Sequence, residues 1–334
     1  MHIFVTGGAG FIGSNLIQRL FDQKYQVTAI DNFSAGEPSK RRAKLLNRSQ
    51  QTVFELDVHT DKTFLKTLLN LQKRLQPSNQ RIDAIVHLAG PSSVMESHDN
   101  PVKYCREINI GTTYVLEAAR ELGITRVVIA SSAMIYGNQD PKHLPLKETD
   151  PVSPLSPYAV EKYAAECHAL RAAREYGLET VVLRFPVVYG QGQDPDAIYS
   201  KGVVAQCMDR VRKQEPPEMS GNGSQTRDFV YVDDAVDALI ASIEKQVEPG
   251  TIMNIGSGKA ISIKELADKI IRFGSKKLEP RSVPARPGEV MRCEIDISRA
   301  KKLLGYEPRI SLEKGLRRTW EWLTKTPEEV YARS

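Results

Sequence analysis

Cysteine is scarce in this chain. Cys105, Cys167, Cys207 and Cys293 are the only four among 334 residues, and they stand far apart, in none of the spacings that make a disulfide framework or a metal site. This usage points to reduced thiols in a cytoplasm and to no bound metal. Long apolar runs are also missing. No stretch approaches the roughly 18 apolar residues of a membrane span, and the amino terminus enters a strand-like run at once, with no room for a signal peptide. Charge of one sign never accumulates. Lys and Arg number 46 against 41 Asp and Glu, interspersed, for a net charge of +5. That balance suits a small anionic substrate and argues against nucleic acid or a membrane as partner. There is no internal repeat and no low-complexity segment. Hydrophobic content of 41% and charged content of 26% mark an ordinary soluble globular chain, long enough for one large or two smaller cores.

Against that plain background one stretch stands out. Thr6-Gly7-Gly8-Ala9-Gly10-Phe11-Ile12-Gly13 follows the apolar run Ile3-Phe4-Val5 and precedes apolar residues at helical spacing, Leu16, Ile17 and Leu20. Strand, glycine-rich turn and helix make the opening of a dinucleotide site. Absent side chains at Gly7, Gly10 and Gly13 let a pyrophosphate approach the backbone, and the helix N-terminus offers unpaired N–H groups and a positive dipole end. A second apolar run, Val27–Ile30, ends at Asp31, 18 residues beyond Gly13. An acid there binds ribose hydroxyls and repels a 2′-phosphate, favouring NAD over NADP. Lys40, Arg41 and Arg42 come too late for the strand end and read as a solvated helix face.

Strand-like runs at 2–6, 26–30, 52–56, 83–88, 126–131 and 180–185 alternate with helical patterns near 12–22, 61–75, 101–122 and 157–176. This is the mark of an α/β parallel sheet wrapped by helices on both faces. Residues 186–228 turn rich in Pro, Gly and Gln and predict loops with one helix around 201–213. Phe229–Val232 and the helical Asp233–Lys245 resume the earlier style. The expected organisation is a cofactor domain of 1–186 plus about 229–255, with a smaller domain of about 187–228 plus 256–330. Ligands belong in the cleft between them.

Ser131-Ser132 follows the strand Arg126–Ala130, whose carboxyl end in a doubly wound sheet faces the cofactor crevice. Tyr158 and Lys162 lie four apart and share a helix face. A neighbouring ammonium favours the phenolate, so that a tyrosine can serve as a base at neutral pH. A serine hydroxyl can bridge substrate oxygen and phenolate.

With these motifs the chain resembles an extended short-chain dehydrogenase/reductase of the sugar-nucleotide epimerase/dehydratase group. The resemblance runs from Met1 to about residue 325. It rests on Thr6–Gly13, Asp31-Asn32, Asp57-Val58, His87-Leu88-Ala89-Gly90, Ser131–Gly137, Tyr158–Lys162, Gln225–Asp234 and Arg286-Pro287-Gly288-Glu289. It implies a Rossmann-type doubly wound parallel sheet with a smaller α/β carboxyl-terminal substrate domain, and NAD as cofactor. It also implies roles: Phe11 and Ile12 at the pyrophosphate, Asp31 and Asn32 at the ribose, and Asp57 and Val58 at the adenine. Leu88, Ala89 and Gly90 belong to the nicotinamide side, Lys162 contacts the cofactor ribose, and Phe185 is a further cofactor-binding residue. Ser132, Tyr158 and Lys162 are the catalytic set, Arg227 and Arg286 hold a substrate diphosphate, and Glu289 completes their motif. Cys293 falls where relatives restricted to glucose and galactose carry a bulky tyrosine beside the C2 substituent, so a small residue there admits an N-acetyl group. A homodimer paired through the helices near 101–122 and 157–176 is implied as well.

Three positions depart from the group's pattern. Val187 stands where an asparagine is usual, the Asn109-Ile110-Gly111-Thr112 motif is shortened, and Ala133 and Met134 replace the acid that dehydratases carry after the catalytic Ser or Thr. Removing water from a 4-keto sugar needs an acid and a base beyond the tyrosine. Inverting C4 needs only hydride removal, rotation and hydride return. The residues therefore favour NAD-dependent 4-epimerisation of a UDP-hexose, N-acetylated or plain. The alternatives are a UDP-glucuronate 4-epimerase, a 4-ketoreductase and a 4,6-dehydratase. From another class comes a non-catalytic NAD-binding protein, against which the complete Ser132, Tyr158 and Lys162 set counts.

Overall fold

The computed structural model describes residues 1–48, 53–59, 61–75, 81–196, 202–274, 278–286 and 288–325. Its first half runs β1 (His2–Thr6), α1 (Phe11–Asp22), β2 (Gln26–Asp31), α2 (Glu37–Arg48), β3 (Val53–Glu55), α3 (Asp61–Leu75) and β4 (Ala84–His87). Next come α4 (Val94–Asp99), α5 (Pro101–Tyr104), α6 (Gly111–Leu122), β5 (Arg126–Ser132), α7 (Pro157–Tyr176) and β6 (Glu179–Phe185). The remainder contributes β7 (Val187–Tyr189), α8 (Val203–Arg212), β8 (Glu218–Ser220), β9 (Thr226–Tyr231), α9 (Val232–Glu244) and β10 (Thr251–Asn254). Last are β11 (Ala260–Ser262), α10 (Ile263–Ile271), β12 (Arg281–Val283), β13 (Arg292–Cys293), α11 (Ser298–Leu304) and α12 (Leu312–Leu323).

Seven strands form a sheet in the order β10-β6-β5-β4-β1-β2-β3, each parallel to its neighbours. Successive side chains on a strand point to opposite faces, and the cores follow that rule. Ile3, Val5, Val86, Val128, Val181 and Leu183 enter one cluster, with Leu16, Ile17 and Leu20 of α1, Ala43 of α2 and Val236 and Leu239 of α9. Phe4, Ile85, Val127, Ile129 and Val182 enter the other, with Phe64 of α3, Leu116 of α6 and Ala172 of α7. Strands apolar on both faces are what a sheet covered on both sides needs. The chain order reverses between β1 and β4, which opens the crevice where such sheets bind ligands. This is the doubly wound arrangement the sequence predicts.

A smaller sheet is built on β9. Its first half pairs with β11 antiparallel and β13 parallel, and its second half, Phe229–Tyr231, pairs with β7. Phe229–Tyr231, which the sequence pattern assigns to the cofactor domain, thus belongs to this smaller sheet, while α9 packs back against β5 and β6 of the larger one. Short β8 and β12 pair beside it. The helix expected over 101–122 arrives in three pieces, α5, a π-helical turn at Cys105–Ile110, and α6. Residue 52 of an expected strand, residue 201 of an expected helix, Pro287 and residues 326–330 lie outside the described residues.

Candidate active site

A cavity of about 650 Å³ opens along the carboxyl ends of the central strands and continues beneath the smaller sheet. At one end is the glycine-rich turn. Gly7 holds φ at +69° against the backbone of Ala89, and a Cβ on Gly13 would stand 2.2 Å from the Gly7 carbonyl oxygen. No side chain fits in that approach, and the turn closes through Gly10 N–H donating to Gly7 O at 3.0 Å. Asp31, at the end of β2, is tied to it. Its carboxylate accepts from the Ala9 N–H at 3.0 Å and the Phe33 N–H at 2.8 Å. Burial pushes the Asp31 carboxyl up, while these N–H donors and the Arg42 guanidinium oppose the shift. Asn32 donates to Asp57 at 3.1 Å, and His59 approaches the same carboxylate at 2.6 Å.

The catalytic candidates meet near the middle of the cavity. Ser156 caps α7, accepting from the Ala159 N–H at 3.2 Å with Pro157 in the first turn, so Tyr158 is fixed at the helix entrance. Burial pushes the Tyr158 phenol up, and a hydrogen bond with Ser132 draws it down. Lys162 Nζ lies 5.9 Å from the Tyr158 ring centre and donates to the Ala130 carbonyl at 2.8 Å. Burial lowers the Lys162 ammonium to about 8, with Glu166 opposing.

Strand alternation separates the two serines. Ser131 donates to Glu166 at 2.5 Å, and Glu166 is in turn gripped by Arg184 at 2.7 Å, a pair only 1% and 3% exposed. Arg184 also donates to the Tyr136 hydroxyl at 2.8 Å, which donates to Asn254 at 2.8 Å. Ser132 is left to accept from the Met134 N–H at 3.2 Å and to meet Tyr158.

Beyond the tyrosine the cavity wall carries two arginines and two glutamates, Arg227, Arg286, Glu218 and Glu289. Arg227 on β9 and Arg286 both line it, and burial, with Arg286 adding like charge, lowers the Arg227 guanidinium. Glu289 faces Arg227 at 3.4 Å and accepts from Ser220 at 2.6 Å.

Gly7, Gly10, Phe11, Ile12, Gly13, Asp31, Asn32, Asp57, Val58, Leu88, Ala89, Gly90, Ser132, Tyr158, Lys162, Phe185, Arg227, Arg286 and Glu289 all line this one cavity. Cys293 does not. It is fully buried opposite Arg227 in the β13–β9 pairing, its thiol pushed up to about 12 by burial. Cys293 therefore stands behind Arg227 and away from the cavity wall. Nor is Arg42 the solvated helix residue its position predicts. It is 8% exposed, lines the cavity and donates to Ala9 O at 2.7 Å. The π-helical turn carries Asn109 to the side of Cys105, whereas Glu107 reaches the cavity wall. Gln193, Gln206, Glu218 and Ser220 also line it. None has a local pattern that could have marked it, since long-range folding alone brings it there. Val187 lines the wall as expected, and Ala133 and Met134 present no carboxylate beside Ser132. Among the described residues no cluster of His, Cys, Asp and Glu could hold a metal, and no helix is long and apolar enough to cross a membrane.

Residues 3–256 match the model of the NAD dependent epimerase/dehydratase family. The UDP-glucose 4-epimerase of Mycolicibacterium smegmatis is 34% identical over 323 residues, 96% of this chain and 98% of that one. The crystal structure of UDP-glucose 4-epimerase from Thermotoga maritima with UDP-glucose is 34% identical, with a TM-score of 0.87 over 97% of this chain and 98% of that chain. UDP-glucuronic acid 4-epimerase from Bacillus cereus, solved with UDP-glucuronic acid and NAD, is 28% identical, with a TM-score of 0.84 over 97% and 99%. A family match over this span, carried by a complete set of turn, tyrosine and arginine motifs in one cavity, leaves one conclusion: the chain belongs to the NAD-dependent epimerase/dehydratase family.

Proposed function

We propose that this chain inverts C4 of a UDP-linked hexose, with Tyr158 as the acid and base. The observation that carries this reading is the Ser132, Tyr158 and Lys162 set, within the cavity that holds the glycine-rich turn and two arginines, with no carboxylate following Ser132. The residues fit NAD. An added Cβ on Gly10 would meet only the Gly7 carbonyl and otherwise enter open cleft, so that glycine leaves room for a pyrophosphate at the head of α1. Asp31 at the end of β2 suits ribose hydroxyls and disfavours a 2′-phosphate. When bound, the nicotinamide supplies the hydride acceptor and donor. Tyr158 takes the C4 hydroxyl proton and later returns it, Ser132 bridges the sugar oxygen to the phenol, and the Lys162 charge favours the phenolate. Arg227 and Arg286 anchor the diphosphate as planar cationic forks, giving the sugar a fixed tether about which to turn its other face.

The assembly and organisation belong to the same reading. The helical face of α5 to α7 leaves Val102 74% exposed, with Ile110, Val160 and Tyr163 also open to solvent. A second copy of the chain would cover that face, making a homodimer, which light scattering at monomer mass across micromolar concentrations would refute. Two lobes, 1–186 with about 229–255 and about 187–228 with 256–330, would then form the cleft. The free cysteines suit a cytoplasmic location.

The deciding experiment incubates pure protein with UDP-, dTDP-, GDP- and CDP-sugars in heavy water, with products read by NMR. The UDP series covers glucose, N-acetylglucosamine and glucuronic acid. A product inverted at C4 without solvent label is expected, and deuterium at C5 would overturn the reading in favour of dehydration or 3,5-epimerisation.

A further inference from the structure

Residues Gln191–Asp194 follow β7 and cross the glycine-rich turn, where three side chains from two helices hold them. Asn15 of α1 donates to Gln191 O at 3.2 Å while also donating to Phe11 O at 2.9 Å. Arg42 of α2 donates through Nε to Ala9 O at 2.7 Å and through Nη1 to Gly192 O at 3.1 Å. Its neighbour Arg41 pairs with Asp194 at 3.6 Å. Gly192, at φ +88°, lies so close to α1 that an added Cβ would stand 3.2 Å from Asn15 and 3.7 Å from the Phe11 ring.

A buried guanidinium joined to two carbonyls from different loops has a mechanical consequence. Arg is the side chain whose rigid fork can bridge two fixed acceptors at once. One of them, Ala9 O, belongs to the turn that a pyrophosphate must approach. The other, Gly192 O, belongs to the segment lying across it. Both Arg42 and Gln193 also reach the cavity wall. We propose that Gln191–Asp194 is a strap over the pyrophosphate end of the cleft, that Arg42 is its latch, and that the latch slows escape of NAD between turnovers. The proposal rests on the reading of this cleft as the cofactor site. An enzyme that returns the hydride it has removed gains from a cofactor that stays, and here retention is built into the backbone of the segment that continues from the substrate-facing β7. Arg42 is a positioning residue in this scheme, acting through the strap.

The test uses Arg42→Met, which keeps an apolar stem and removes both donors, and Arg41→Ala, which removes only the outer ion pair. Full-length protein is loaded with NAD, excess is removed, and NAD release is followed by filtration and chromatography. Loss of two charge-assisted hydrogen bonds should raise the release rate roughly tenfold to a hundredfold in Arg42→Met, with a smaller rise in Arg41→Ala. Amide exchange should quicken at residues 191–194 and in the glycine-rich turn while β4, β5 and β6 keep their protection. In a third variant, Arg42→Ala, which leaves the space of the side chain open, millimolar guanidinium ion should restore retention while leaving the parent protein unchanged. An unaltered release rate, or faster exchange spread evenly over the sheet without guanidinium rescue, overturns the latch. A parent protein with no affinity for NAD would overturn the cofactor reading as well, and would be seen before any variant is made.

Discussion

Gly10 and Gly13, three residues apart in the same turn, should respond to alanine in different ways. Gly13 has no room. A methyl there would stand 2.2 Å from the Gly7 oxygen and 3.0 Å from both Gly7 C and Gly8 Cα, all backbone atoms. The Gly7 carbonyl must retreat by about 1 Å, which disturbs its bond from Gly10 N–H, and such overpacking costs roughly 1–3 kcal/mol. At about 2–4 °C per kcal/mol for a domain of this class, Gly13→Ala should melt several degrees early even without cofactor. Gly10 is different. Its φ of −67° suits any residue, and its methyl would meet only the Gly7 oxygen, at 3.0 Å, with open cleft elsewhere. Gly10→Ala should therefore melt within about 1–2 °C of the parent, since the loop need give only slightly. Its methyl instead occupies the approach to the backbone N–H groups. Weakening one such charged hydrogen bond costs about 1.5–3 kcal/mol, or on the order of 10- to 150-fold in NAD affinity. Differential scanning calorimetry of the cofactor-free proteins and titration calorimetry with NAD would measure both quantities. If Gly10→Ala binds NAD like the parent, or Gly13→Ala melts no earlier than Gly10→Ala, the account of the turn is wrong.

Tyr158→Phe should lower turnover by about 10²- to 10⁴-fold and leave NAD affinity nearly intact, because only proton transfer is lost; near-parental activity would require another base. Lys162→Ala should weaken both, measured as a rise in the NAD dissociation constant together with a fall in kcat. The Lys162 ammonium, lowered by burial from 10.5 to about 8, gives a pH signature. Activity that depends on its charge should fall as pH rises through about 8. Between about 8 and 10.5 the unfolded chain binds a proton that the native one has released, so the Lys162 contribution to stability rises with pH over that same window. Thermal melts and pH–rate profiles of the parent and Lys162→Met would show the two opposite trends. Finally, Arg184→Met should be strongly destabilising, since it leaves Glu166 as an uncompensated buried charge, whereas Ser131→Ala should cost only about 1–2 kcal/mol in chemical denaturation.

Six of the seven strands of the central sheet are legible as runs rich in apolar residues and bounded by polar turns, as Ile3-Phe4-Val5 and Val127-Val128-Ile129 illustrate, whereas β10 escapes because Thr251-Ile252-Met253-Asn254 holds only two apolar residues. Helix α7 is legible from its cap, Ser156-Pro157, and its end at Gly177, where φ is +67°. Strands β7 and β8 escape such a reading because three residues carry too little pattern. The π-helical turn at Cys105–Ile110 escapes it because its composition is that of an ordinary helix. Among the site residues, Tyr158, Lys162 and Asp31 are legible from spacing to a neighbour in the chain. Arg42 and Gln193 are not, since Arg42 meets the segment that carries Gln193 only across 150 residues of chain. Cys293 shows a third case: its position in the motif is readable, but its burial behind Arg227 depends on how β13 registers against β9.

The placement of β10 bears on how the chain is made. Thr251–Asn254 completes the sheet by pairing with Val181–Arg184 of β6, yet the whole of β7, α8, β8, β9 and α9 lies between them. A ribosome releases β6 long before its outer neighbour exists. During that interval Val181, Val182 and Leu183 form an open apolar edge, the kind of surface on which nascent chains aggregate. Synthesis must pass Asn254 before that edge can close, so a chain halted near residue 240 should be a strong chaperone client, and one halted after Asn254 a weaker one.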